Sequence, residues 1–71
     1  MPLTIIQAGR SVRIVSVNAG HGLQGRLSAL GLVPGAVVTV QQNCLRGPFL
    51  LSLGGGRIAL GRGVAQRIEV E

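Results

Sequence analysis

From residue 12 to residue 17 the chain runs Val12-Arg13-Ile14-Val15-Ser16-Val17, β-branched and nearly alternating between apolar and polar. That pattern predicts a strand, and the slip of phase between Ile14 and Val15 predicts one that is fully buried or bulged. A glycine-rich passage, Asn18-Ala19-Gly20-His21-Gly22, leads to a change of period. Leu23, Leu27 and Leu30 recur at i, i+4 and i+7, which places one apolar stripe along a short helix over residues 22–30. Gly31 stands where a left-handed residue ends a helix, and it would make Leu27 and Leu32 the apolar pair of a Schellman motif. Pro34-Gly35 then presets a turn, because proline fixes φ at the second position and glycine accepts positive φ at the third.

The second half of the chain reads as strands separated by punctuation. Residues 36–42 and 49–53 are strand-like, the latter with Phe49, Leu51 and Leu53 on one face, and residues 43–48 connect them. Gly54-Gly55-Gly56 predicts a tight hairpin into a short strand over 57–60, and residues 61–66 predict a single helical turn. Residues 67–71 close the chain, with Ile68 and Val70 inward and Arg67, Glu69 and Glu71 outward. There is no linker and no internal repeat. A sheet of five short strands buries its core and hides its edges best by curling into a barrel. The expected fold is therefore mainly β: one small SH3-like, five-stranded barrel over residues 1–71, with one short helix after the first strand. A chain of 71 residues buries only about 60% of the surface its unfolded form exposes, so closure or a partner would help it.

Composition narrows the functional classes. The hydrophobic fraction of 46% speaks for a folded domain, yet Phe49 is the only aromatic residue. A base-stacking platform for single-stranded nucleic acid and an aromatic-lined groove for proline-rich peptides both lack their material. All seven basic residues are arginines, against Glu69 and Glu71, for a net charge of +5. Such a balance favours acidic partners (nucleic acid, an anionic membrane face or an acidic protein surface), although dispersed arginines also keep an apolar domain soluble. A lone Cys44 excludes an internal disulfide and fits a reducing cytoplasm. No signal peptide is legible, and no apolar run approaches the roughly 20 residues a membrane-spanning helix needs, so membrane insertion is not expected.

Chemistry has little to work with. Gly20-x-Gly22-x-x-Gly25 matches the dinucleotide-binding pattern, but the mechanism also needs a βαβ unit and an acidic residue about 20 positions on; the nearest carboxylate is Glu69. The glycines serve better to turn a strand sharply into a helix. A Cys44–His21 nucleophile pair would have to join two separate loops and find an oxyanion hole, and there is no lysine. No enzyme activity and no cofactor are expected. His21 and Cys44 are usable metal ligands without zinc-pair spacing, and they stand as weak metal candidates only.

The run Arg26-Leu27-Ser28-Ala29-Leu30-Gly31-Leu32-Val33-Pro34-Gly35, followed by a valine-rich strand, resembles the FeoA family. Gly47-Pro48 with the apolar strand after it, Gly56-Arg57-Ile58-Ala59-Leu60-Gly61-Arg62, Ala65-x-x-Ile68-x-Val70 and the opening Pro2-Leu3-Thr4-Ile5-Ile6-x-x-Gly9 extend the likeness over nearly the whole chain. The resemblance implies an SH3-like barrel serving ferrous-iron transport from the cytoplasm, a protein-interaction module docking on FeoB, a membrane GTPase transporter. The matched positions are turn and core residues: Gly31, Pro34 and Gly35 would shape a loop, and Leu27, Leu30, Ile58 and Ile68 would fill the barrel. Similar domains end iron-dependent repressors. With no DNA-binding domain ahead of residue 1, the stand-alone accessory is the expected form.

Two alternatives stay open beside it, a basic barrel binding nucleic-acid backbone and a repressor-type regulatory domain. Arginine without aromatics gives little base readout, so no specific nucleic acid is expected as partner. Homo-oligomerisation and contact with a transition metal are left open. The helix over 22–30 is the element expected outside the barrel wall and Arg26 is its only charge, which makes Arg26 and the neighbouring Leu27 the candidate partner-binding residues.

Overall fold

Two irregularities curl the sheet. In the computed structural model, which describes residues 1–71, β1 (Ser11–Val17) loses register between Ile14 and Ser16, at the phase slip seen in the sequence. β2 (Val37–Asn43) does the same between Val40 and Gln42. A bulge increases local twist and bends its strand. β1 consequently pairs with β2 through Ser11–Arg13 and passes over to β5 (Ile68–Val70) from Ile14 onward. With β3 (Phe49–Leu53) and β4 (Gly56–Leu60), the sheet is antiparallel throughout in the order β4-β3-β2-β1-β5. This is the expected SH3-like architecture.

Every strand expected from the hydrophobic pattern is present to within about a residue at most boundaries. β3 and β4 meet across Gly54 and Gly55, with φ of +56° and +87°, the two successive positive φ values a type I′ hairpin requires. The short helix α1 (His21–Ala29) follows β1, and a single turn, α2 (Arg62–Ala65), precedes β5. A 3₁₀ turn over Leu3–Ile5, which the pattern did not announce, sends Leu3 and Ile6 into the core. Fourteen residues are buried and all are apolar, so polar anchoring falls to the rim of the barrel.

The end of α1 follows the Schellman pattern. The Leu32 N–H donates to the Leu27 carbonyl at 2.9 Å and the Gly31 N–H to the Ser28 carbonyl at 2.9 Å, with Gly31 at φ +91°. Leu27 and Leu32, at 3% and 1% exposure, enter the core from the two sides of that reversal. The Val33–Ala36 turn closes next, with the Ala36 N–H on the Val33 carbonyl at 3.0 Å and Gly35 at φ +93°. The Gly35 N–H then reaches the Ile14 carbonyl at 2.8 Å and fastens the turn to β1.

The leucine stripe is only partly inward. Leu23 is half-buried and Leu27 buried, but Leu30 is 51% exposed, contrary to the expectation that it fills the barrel. The helix stops at Ala29 with Leu30 as its C-cap, and the reversal at Gly31 brings Leu32 into the core in its place.

Substitutions at two glycines should therefore act in opposite directions. A Cβ at Gly31 would sit 3.0 Å from Leu53 Cδ2, on a backbone that side chains rarely adopt. Gly31→Val is expected to cost about 2 kcal/mol, lowering Tm by roughly 10 °C in a domain this small. Gly31→Asn should be milder, because Asn tolerates positive φ better. Gly25, inside α1 with nothing within 4 Å of its would-be Cβ, should gain about 0.5–1 kcal/mol on replacement by Ala. Thermal melts of the three variants check the signs; a Gly31→Val melt matching the parent would show that the reversal is not constrained.

Candidate interaction surface

α1 carries little intrinsic stability. Gly22 and Gly25 lie within it, and Gly20 at its N-cap supplies no side-chain acceptor. The helix is held by Leu27 in the core and by its Schellman end, and these contacts fix which residues face outward. Arg26 is exposed in the last turn, where a cation complements the partial negative charge of the helix C-terminus. Leu30 follows it by four residues on the same side, and Val33, 37% exposed, lies just beyond the reversal.

Of the two residues expected at the docking surface, Arg26 is thus available and Leu27 is not. At 3% exposure Leu27 is a core residue, and the leucine exposed near Arg26 is Leu30. The stripe obscured this because helical spacing alone does not say which leucine loses its place to a residue beyond the helix end.

The weak metal candidates are both at the surface. His21 is the exposed first residue of α1, and Cys44 is exposed just after β2. Neither joins a cluster of three His, Cys, Asp or Glu side chains. The surface shows no pocket.

The arginines divide into two kinds. Arg62, on α2, is engaged: its Nη1 donates to Asn43 Oδ1 and to the Cys44 carbonyl, both at 2.8 Å, and its guanidinium lies 5.6 Å from the centroid of the buried Phe49 ring. Asn43 Nδ2 in turn donates to the carbonyls of Thr4 at 3.0 Å and Ile6 at 2.8 Å. One side-chain pair thereby ties α2, the end of β2 and the N-terminal segment together. Sequence reasoning missed it, since only the fold brings residues 4, 43 and 62 into reach. The other six arginines are exposed and make no side-chain hydrogen bond or ion pair. The one ion pair joins the Met1 ammonium to Glu69 Oε2 at 2.9 Å, so half of the acidic charge is already answered within the chain.

Known proteins resemble this chain in sequence and fold over its whole length. The family profile of the FeoA domain matches residues 1–71. A candidate Fe(2+) transport protein A of Methanocaldococcus jannaschii is 37% identical over 70 residues, 99% of this chain and 84% of that protein. The crystal structure of an iron uptake regulatory protein (FeoA) superimposes with a TM-score of 0.93 at 35% identity, covering all of this chain and 95% of that one. The zinc complex of FeoA from Stenotrophomonas maltophilia, described as a prokaryotic SH3 domain protein, gives 0.86 at 29% identity, over 100% and 89% of the two chains.

The division of the arginines can be measured. Arg62→Ala should cost about 1–2 kcal/mol, since it leaves Asn43 Oδ1 without its charged donor and uncovers Phe49. Arg26→Ala should stay within about 0.5 kcal/mol of the parent. Urea midpoints for the two variants provide the comparison, and equal losses would refute the assignment of Arg62 to the fold and Arg26 to the surface.

Proposed function

Because this chain belongs to the FeoA family, we propose that it is a non-enzymatic cytoplasmic accessory of ferrous-iron transport, docking on the cytoplasmic domains of a FeoB-like membrane GTPase transporter. The observation that carries the docking surface is the grouping at the α1 exit: a free guanidinium on Arg26 beside exposed Leu30 and Val33. An arginine beside exposed apolar side chains has the make-up of an interface spot, since arginine is enriched among the residues that carry binding energy and its neighbours serve to exclude water. The names of its relatives, which concern Fe(2+) transport and iron uptake regulation, supply the system in which such a surface would act. No helix is long and apolar enough to cross a membrane, which suits a module that works on another protein's domains.

Arg26→Glu and Leu30→Ser should each reduce retention by the transporter's cytoplasmic domains by about tenfold, the size expected for losing an interface anchor. Both should melt close to the parent, because both sites are exposed. Full retention of the two variants would remove the α1 exit as the docking surface.

Six unengaged arginines favour a second reading, binding to nucleic-acid backbone. Neutralisation of phosphates by arginine would give binding that appears at low salt and falls steeply as salt rises. We expect association with duplex DNA or RNA to be weaker than micromolar at physiological salt. A nanomolar, sequence-selective complex in a filter-binding or mobility-shift titration would replace the transporter reading.

A further inference from the structure

The two edges of the sheet are treated differently by the fold. The β5 edge is covered: the Val70 N–H donates to the Met1 carbonyl at 2.7 Å, and Pro2 bridges Glu69. The β4 edge is open. In the β3–β4 ladder Leu53 stands opposite Gly56 across a two-residue turn, so Gly56, Ile58 and Leu60 exchange hydrogen bonds with β3. The N–H and C=O groups of Arg57 and Ala59 point the other way, and no other strand, loop or side chain of the protein bonds them. The strand runs in unbroken register from Gly56 to Leu60, with no proline and no bulge, so its one guard against indiscriminate pairing besides its shortness is the charge of Arg57.

Charge selects what such an edge would accept. Arg57 is exposed on β4, and across the sheet its neighbours in register are Ser52, Thr39 and Ser11, a polar row without a carboxylate. Both glutamates of the chain lie at the other end of the sheet, Glu69 within β5 and Glu71 just after it. A second copy of the chain would bring another +5 and another Arg57 to the same seam. We infer that the β4 edge is a strand-addition site for an extended acidic segment of another protein, its backbone pairing with Arg57 and Ala59 and its carboxylates meeting Arg57. The inference rests on the open edge and its charge, and does not depend on the docking proposed at the α1 exit.

The probe is a blocked heptapeptide alternating Glu with Val and Thr, titrated into isotope-labelled protein and followed by amide resonances. The expected result is saturable shifts centred on Arg57 and Ala59, with slowed hydrogen exchange at both amides. A matching peptide with Lys in place of Glu should bind at least about tenfold more weakly. Ala59→Pro removes an outward N–H without touching the ladder to β3 and should lower affinity for the Glu peptide by about tenfold, whereas Ala59→Val should bind like the parent. Arg57→Glu, which leaves the backbone intact, should reverse the preference between the two peptides even if the proline variant does not fold. Absence of saturable binding at millimolar peptide, shifts centred elsewhere, or unchanged preference in Arg57→Glu would each overturn the inference. So would concentration-dependent sedimentation with both amides already protected in the free protein, which would assign the edge to a second copy.

Discussion

The reversal of the chain at Gly31 sets the geometry of everything between β1 and β2. Leu27 and Leu32 are five residues apart and both buried, which is achieved here because the backbone turns back through positive φ between them. That turn also places Leu53 Cδ2 at 3.0 Å from where a Cβ would stand, so the hairpin end of β3 packs directly against the helix exit. From the same constraint follows the outward position of Leu30. A helix with two glycines and no N-cap side chain would otherwise have little reason to persist.

A core without any polar group specifies the fold through shape and hydrophobic burial alone. Specificity at the rim comes from Asn43 and Arg62. Their linked partners span from Thr4 to Arg62, and they engage one of seven arginines in the fold itself. The remaining six make no side-chain hydrogen bond or ion pair within the chain. The charge that composition shows as one number is thus two populations, one engaged in the fold and one not.

Local rules made much of the fold legible in the sequence. The bulge in β1 was visible because one extra residue in a strand shifts the phase of a β-branched run, and the slip at Ile14–Val15 is that shift. Gly31, Pro34-Gly35 and Gly54-Gly55 were visible because each demands a backbone angle that few residues supply. What stayed hidden was non-local. Leu30 reads as core by helical spacing, and only the placement of Leu32 displaces it. Leu27, next to the exposed Arg26, reads as a neighbour on a surface until the core beneath it is seen. The Asn43–Arg62 pair and the open β4 edge depend on strand order, which no local pattern encodes.

Under the proposed function, the α1 exit is the face presented to the transporter. Cross-saturation NMR on the deuterated, labelled protein bound to the cytoplasmic domains of a FeoB-like transporter tests this most directly, because it reports proximity residue by residue. Saturation transfer should be strongest at the amides of Arg26, Leu30 and Val33 and weak at Asn43 and Arg62, whose side chains serve the fold. Transfer centred on the Asn43–Arg62 end of the barrel, with the α1 exit silent in a saturated complex, would contradict it.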